Sequence, residues 1–436
     1  MQPRPEHFDD NGSAWVQGKA TDTPCAPLQG ERELDVAIIG GGFAGVSAAR
    51  AFSARHPELG VGLLEAKSLG NGASGRNGGM VLNWVNGHSS KDPEELKRVF
   101  EVTRGAIDGI AARAPEGAFA RSGCLEVYTS AQRAEKAEAA AQRLAAAGVP
   151  VQWLDRQALG ERLAVAGGQG AIFDPTAGTL DGVAYLRAER AALLERGVQV
   201  FEGTVVTRVE TGERVVLHTP EGRVRARTLV LATNAWTPLL GFFRDGILPL
   251  HSHAVATGPL DEAARAGLGW GEVGGFSDDL DRISYASMSA SAGLVFGGGS
   301  NASYAYQYGG PTVFQGDRSP GLAAVERRLG AYLGGAPPIR HRWTGTLGVT
   351  LSRVCTVGAL AGQPNVLYAL GFSGHGIALA NLSGEVLVDI YDSETARWHG
   401  LPFFQQRLLP IPPEPLRWLG YQAFTRLTGK SPRRSM

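Results

Sequence analysis

A glycine-rich turn at the end of a short apolar segment constrains this chain more than any other feature. Leu34-Asp35-Val36-Ala37-Ile38-Ile39 reads as a buried strand, and Gly40-Gly41-Gly42-Phe43-Ala44-Gly45 follows it as G-x-G-x-x-G. Residues 43–56 carry small and apolar side chains at helical spacing, and Val61–Glu65 reads as a second strand. The unit has the size of one βαβ crossover. In such a unit Gly40 permits the tight turn, Gly42 lets backbone N–H groups approach a pyrophosphate, and Gly45 lets helix and strand pack closely. The helix opening at Phe43 and Ala44 offers unpaired donors and the positive end of its dipole. Glu65 closes the second strand, where a carboxylate accepts hydrogen bonds from a ribose diol and disfavours a 2′-phosphate.

NAD and FAD both satisfy this fingerprint, and the residues after Glu65 discriminate. Gly72-Ala73-Ser74-Gly75-Arg76-Asn77-Gly78-Gly79 is a second glycine loop, whose N–H groups, with Ser74 and Arg76, suit an anion nest. A simple NAD domain has no use for it. A larger cofactor, gripped far from its adenine, does. The plain alternative is a flexible Gly/Ser loop on the surface.

The rest of the chain sets bounds. Its 436 residues exceed one ordinary core, so two domains are expected. Lys+Arg and Asp+Glu are both 42, which removes the usual electrostatic signature of a nucleic-acid binder. No stretch of apolar residues is long enough for a membrane span, and the first residues lack a signal-peptide core, so the cytoplasm is the expected location. Cys25, Cys124 and Cys355 are scattered and have no metal-ligand spacing; no metal site is expected. Residues 1–33 read as a polar leader arm. Helices are expected over 95–110, 133–147, 186–196 and 377–391, and further strands over 199–209, 223–232 and 366–370. Residues 401–436 form a tail. Within it, 415–429 reads as a helix with Leu416, Leu419, Ala423, Phe424 and Leu427 on one face, expected to pack on the protein's own body rather than on a membrane.

GGGFAG with Glu65, then GASGRNGG, then Gly371-Phe372-Ser373-Gly374-His375-Gly376 before a helix, resembles the FAD-dependent D-amino-acid oxidase superfamily. Within it the chain is most similar to the glycine/sarcosine oxidase branch and its gamma-glutamylputrescine oxidase group, over roughly residues 34 to 392. The resemblance implies an α/β fold: a Rossmann-type FAD-binding domain built from discontinuous segments (34–110, 171–240 and 350–400) and an α+β substrate domain with an antiparallel sheet (111–170 and 241–349). It implies noncovalent FAD in an extended pose, since the second glycine loop has no His or Cys; Cys355, upstream of GFSGHG, is the one thiol to watch. Carried over by residue, Gly40, Gly42, Phe43, Ala44 and Gly45 hold the pyrophosphate, and Glu65 and Ala66 the adenosine ribose. Ser74, Gly75, Arg76, Asn77 and Gly78 fall at the pyrophosphate and ribityl region. Val205, in a strand after the Gly203 turn, contacts adenine through its backbone. Ala232-Thr233-Asn234-Ala235-Trp236 is similar to the family's A-T-G-A-W stretch, with Asn234 replacing a glycine. Trp343-Thr344-Gly345, with Thr350, resembles a W-x-G…T segment near the flavin, although Leu351, Ser352 and Arg353 replace its usual Asp and Pro. Gly371, Ser373, Gly374, His375 and Gly376 run beside the flavin pyrimidine edge, and the helix from Ile377 aims its N-terminus at the N1–O2 locus.

The implied reaction is hydride transfer from the carbon beside an amine nitrogen to flavin N5, hydrolysis of the imine, and passage of electrons to dioxygen to give hydrogen peroxide. The implied partners are a small amine or amino acid and dioxygen. Candidate polar groups are His251, His253, Tyr285 and His375. The alternation in Pro249–Ala254 puts both former histidines on one strand face, which either meets the flavin or does not. The gamma-glutamylputrescine oxidases resemble one another in a Tyr-Phe-Arg stretch; Tyr285 keeps the tyrosine, but Ser287 stands in place of an arginine suited to clamp a carboxylate. That points to an amine without an α-carboxylate or one bound differently, with Arg282 as a neighbouring substitute. No lysine occurs between Lys136 and Lys430, and Val295 falls where related oxidases place an oxygen-activating lysine. Tyr304, Tyr306 and Tyr308 alternate, either lining an aromatic pocket or edging a sheet. The rival readings are a dehydrogenase with another acceptor and a non-catalytic flavoprotein subunit.

Overall fold

The computed structural model describes residue 3, residues 12–16, 23–280, 282–306, 308, 319–333 and 337–428. The predicted unit forms as β1 (Gly30–Ile39), α1 (Phe43–Arg55) and β2 (Val61–Leu64). Five parallel strands run in the spatial order Gln199–Phe201, β2, β1, Gly222–Leu231, Gln363–Leu370. The chain winds outward from β1 on one side and then resumes on the other. The crevice between the loops after β1 and after Leu231 is therefore the point where strand order reverses, which is where such sheets bind ligands. Val36, Ala37 and Ile38 are fully buried, as a strand covered on both faces demands. One cover is α1 packed on the helix Ile377–Tyr391. They approach so closely that a Cβ at Gly384 would lie 2.1 Å from the Ser47 carbonyl oxygen, and the Ser47 hydroxyl donates to the Asn381 carbonyl.

The second sheet has nine strands and is mostly antiparallel. Its long strand Leu248–Ala256 pairs with Gly293–Gly298, Tyr304–Ala305 and His341–Val349. The helix Pro320–Leu333 backs it, with Leu322, Val325, Leu329 and Tyr332 packed among Phe276 and Phe296. Gly170–Asp174 pairs within this sheet. No described helix is long and apolar enough to cross a membrane.

Several expectations change in detail. The strand expected over 199–209 is two strands, Gln199–Phe201 and Arg208–Glu210, because Glu202 turns inward. Its buried carboxylate pairs with Arg190 at 2.9 Å and accepts from the N–H groups of Leu69 and Cys25. Val205 consequently lies in irregular chain rather than in a strand. Helices start earlier than expected where an aspartate caps them: Asp92 before Pro93–Arg113 and Asp181 before Gly182–Glu195. β1 begins at Gly30 rather than Leu34. The leader is not merely polar chain: Ala14 and Trp15 are buried, Ser13 donates to the Gly75 carbonyl at 2.5 Å, and the Trp15 indole donates to the Asn77 carbonyl at 2.8 Å. The tail helix Leu416–Thr428 forms, but its apolar face is turned the other way. Leu416, Leu419, Ala423, Phe424 and Leu427 are exposed, and the helix docks instead through Tyr421 and Thr425. The docking face is chosen by these hydrogen bonds, which hydropathy spacing does not register.

Trp15→Ala is expected to destabilise the fold by about 3–5 kcal/mol, as for other buried aromatic truncations. The check is the thermal unfolding midpoint; an unchanged midpoint removes the arm from the core.

Candidate functional site

A cleft of about 1420 Å³ runs from the reversal point of the parallel sheet to the second sheet. It is larger than the ~300–1,000 Å³ typical of small-ligand pockets, so it has room for a dinucleotide and a substrate together. At its floor Gly40 has φ 108°, a conformation a side chain resists, and a Cβ there would also sit 2.7 Å from the Ala232 carbonyl oxygen. Gly45 lies behind the lining, where a Cβ would fall 1.8 Å from the Gly40 carbonyl oxygen. The two glycines thus let β1, α1 and the strand ending at Leu231 meet backbone to backbone, and Gly42, Phe43 and Ala44 are left facing the cleft.

Glu65 lines the cleft beside Ala66. Its Oε2 accepts from the Gly41 N–H at 2.7 Å and its Oε1 from the Lys67 N–H at 3.0 Å. Burial pushes its carboxyl above the usual range, against the pull of those donors. Ser74 reaches across: its Oγ accepts from the Phe43 N–H at 2.9 Å, capping α1, since Gly42 has no side chain to do so.

The second glycine loop is braced rather than open. The Arg76 guanidinium is buried, with Nε donating to the Asn71 carbonyl at 2.6 Å and Nη1 to the Thr344 carbonyl at 3.2 Å. The Arg76 carbonyl in turn accepts from the Trp343 indole at 2.9 Å. Asn77 closes its own turn through Ser74 and Gly79. The Ser287 hydroxyl donates to the Gly78 carbonyl. Gly75 packs behind the lining, against the Gly70 carbonyl. Ser287 therefore serves the loop and does not line the cleft.

The far side is built from the chain's end. Gly345, Ser373, Gly374, His375, Gly376 and Ile377 line the cleft; Gly371 lies behind, against Thr350. Asn234 adopts φ 42°, which explains why a glycine suits the position, and its Oδ1 accepts from the Gly371 N–H at 2.9 Å. The substitution thus ties the strand end at Ala232 to GFSGHG. The His375 Nε2 donates to the Asn83 carbonyl at 2.6 Å, which fixes the ring, while the helix from Ile377 opens on the cleft with no side-chain cap. The N–H groups of Gly42, Gly374 and Gly376, and both backbone groups of the buried Val205, have no hydrogen-bond partner among the described residues. Orphaned backbone groups along one cleft are what an extended dinucleotide satisfies. Cys355 is buried away from the lining and its thiol is pushed up to about 12 by burial.

The second sheet supplies the roof, and it places the two candidate histidines outside the cleft lining. Register places Ser252 opposite Gly345 and Leu250 opposite Leu347 on the cleft face, and His251 opposite Thr346 and His253 opposite Thr344 on the other. His253 Nδ1 lies 2.7 Å from the Thr344 hydroxyl and its ring packs over Gly321. Both imidazoles are buried against threonine hydroxyls, and desolvation lowers each to about 4. Tyr285 does line the cleft, packed over Gly78; burial pushes its phenol up and keeps it neutral. The three alternating tyrosines do not form a stripe: Tyr304 lines the cleft, Tyr306 is buried with its hydroxyl on Glu414, and Tyr308 is exposed. Sequence reasoning passed over Ser252 and Asn83, which no motif marks; Ser252 becomes visible only once strand register is known.

Fold and cleft together define a dinucleotide-binding flavoprotein. The chain belongs to the FAD dependent oxidoreductase family, which matches residues 35–390, and it is an enzyme of that class. It is similar to the gamma-glutamylputrescine oxidoreductase of Escherichia coli (strain K12), 26% identical over 87% of this chain and 89% of the relative. Among solved structures it is similar to glycine oxidase from Geobacillus kaustophilus (TM-score 0.70, 19% identity, 86% of this chain and 99% of that one). It is also similar to L-proline dehydrogenase from P. horikoshii (TM-score 0.65, 19% identity, 86% and 96%). The expected α/β fold with its antiparallel second sheet is the one found.

Gly45→Ala is expected to yield protein without bound FAD, because the new methyl meets backbone; the flavin-to-protein absorbance ratio checks this. His251 and His253 predict acid sensitivity. The unfolded chain protonates both below about 6.5 while the folded protein resists until about 4, so stability falls as pH drops through that window. Unfolding midpoints measured across it should flatten in a His251→Gln/His253→Gln variant.

Proposed function

We propose that this enzyme oxidises the carbon–nitrogen bond of a small amine or amino acid, with dioxygen as the electron acceptor. The observation that carries the reading is one continuous cleft joining a nucleotide cradle to a small polar roof of Ser252, Tyr285, Arg282 and Tyr304. The activities named for the similar E. coli and Geobacillus proteins, on gamma-glutamylputrescine and on glycine, support it. Gly42, Glu65, Val205, Gly374 and Gly376 would hold FAD noncovalently, and the remote, protonated Cys355 supports the absence of a bond to it. When bound, FAD supplies a two-electron acceptor for the hydride on the carbon beside nitrogen, and dioxygen then takes the electrons as hydrogen peroxide.

The chain's own part is placement. Leu250, Ile283 and Leu347 wall the cleft against water, and neutral Tyr285 and Ser252 present hydroxyls that orient the amine without adding charge. The imine product takes up water to give a carbonyl compound and the free amine or ammonia. The His375 ring is held by Asn83, so its contribution is the backbone turn that opens the final helix. The two sheets are read as two domains, a nucleotide-binding one and a substrate-binding one.

A dehydrogenase reading has one specific observation in its favour. Val295 is buried in the sheet, outside the cleft lining, and no lysine from residue 137 to 429 is present to draw dioxygen. The fold hosts both an oxidase and a dehydrogenase among the similar structures, so it does not choose the acceptor.

Anaerobic mixing with a panel of amines and amino acids, followed at the flavin band, is expected to show bleaching by at least one. Bleaching by none overturns the reading. Admitting air should restore the colour with one peroxide per turnover; slow recovery with fast dye reduction selects the dehydrogenase. Acid precipitation should release all the flavin.

A further inference from the structure

We propose that the helix Leu416–Thr428 lies on the surface of an anionic lipid bilayer and holds the protein there. The helix has two faces. One is fastened to the body: Asn301 Nδ2 donates to the Thr425 carbonyl at 2.7 Å, and the Tyr421 hydroxyl donates to the Tyr304 carbonyl at 3.0 Å. On the opposite face Leu416, Leu419, Ala423, Phe424 and Leu427 recur at helical spacing, and all are exposed, Leu416 at 60% and Leu427 at 80%. Exposed apolar side chains scattered singly are ordinary, but a contiguous stripe of them marks a contact surface. The helix Pro320–Leu333 shows the usual outcome in this chain, with Leu322, Val325 and Leu329 of its apolar stripe buried.

Charge selects the occupant. From residue 416 to 436 the sequence has Arg417, Arg426, Lys430, Arg433 and Arg434 and no aspartate or glutamate, in a chain of formal net charge zero. Arg426 is exposed next to Leu427; the last three lie outside the described residues. The acid that precedes the helix, Glu414, is engaged with the Tyr306 hydroxyl and the Trp418 N–H. An apolar stripe flanked by basic side chains matches a bilayer surface, where acyl chains take the one and lipid phosphates the other. A second copy of the chain fits less well. A two-fold contact uses the same patch twice, and residues 416–436 hold no carboxylate to answer their arginines. The helix has 13 residues against the ~20 that span a bilayer, so it lies along the surface rather than across it. It follows residues 35–390, the part shared with the family, so the contact is an addition to the common fold. Leu416, Gly420 and Phe424 also line the cleft, so a bilayer under this helix meets the protein at the cleft's edge.

The test is flotation of the full FAD-loaded chain with vesicles of phosphatidylglycerol and phosphatidylcholine in equal parts, and with vesicles of phosphatidylcholine alone. Binding to the anionic vesicles is expected to exceed binding to the neutral ones by ~10-fold or more, and to fall in high salt. Leu419→Glu with Leu427→Glu should cut binding to the anionic vesicles by ~10-fold or more, because it removes apolar contact and adds repulsion. Neither leucine lines the cleft, so the flavin-to-protein absorbance ratio should stay unchanged. If that pair fails to fold, Leu419→Ser with Leu427→Ser stands in. Arg426→Gln with Lys430→Gln should weaken anionic binding by ~5-fold or more and leave neutral vesicles unaffected. No binding of wild type to anionic vesicles, equal binding to both vesicle types, or binding untouched by the leucine variants overturns the inference. So does a lipid-free dimer in sedimentation that the leucine variants split into monomers, which gives the face to a second copy. Flotation is read without turnover, so a failure of amine oxidation and a failure of bilayer docking are separate results.

Discussion

Everything in this structure depends on backbone meeting backbone where β1 ends. The Gly40 turn lies against the Ala232 carbonyl, and Gly45 lies against the Gly40 carbonyl, at distances no side chain tolerates. That contact seats the start of α1 at the reversal point of the parallel sheet. It leaves N–H groups with no internal partner facing a cleft, and such groups are costly unless a ligand or water answers them. The nucleotide site is thus a consequence of close packing rather than an addition to it.

The second glycine loop plays a different part from the first. Its side chains face inward, and its carbonyls are claimed from three directions: by the leader arm at Ser13 and Trp15, by Trp343 and by Ser287. Arg76 and Ser74 are likewise internal braces, one to Thr344 and one to the head of α1. The loop is therefore the joint at which the N-terminal arm, the parallel sheet and the antiparallel sheet are fastened. Its glycines permit approach from all sides, and its polar side chains fix that approach.

The readable parts of the chain were those where chemistry is local. The βαβ unit, Glu65 and the helix from Ile377 are set by short-range spacing, and the structure places them where spacing puts them. Alternation correctly put His251 and His253 on one face, but period two says only that a face is shared, never which sheet side it meets. Register set both histidines beside Thr344 and Thr346 and left their rings outside the cleft lining. The same limit applies to the tail helix, where hydropathy identified the apolar stripe while Tyr421 and Thr425, through two carbonyl contacts, chose the docking side. The buried leader residues Ala14 and Trp15 had no periodic pattern to announce them.

By itself the sequence determined the nucleotide cradle, because a G-x-G-x-x-G turn and the acid after the next strand act within one crossover and need no distant partner. Tertiary structure alone decided the roof of the cleft. Ser252 and Tyr285 come from two strands, Arg282 from the bend just before the second of them and Phe424 from the last described helix, and they share one roof only because sheet register and helix docking bring them there. Contacts between residues far apart in sequence carry the cost of closing long loops, and only the folded core as a whole supplies the free energy that holds them.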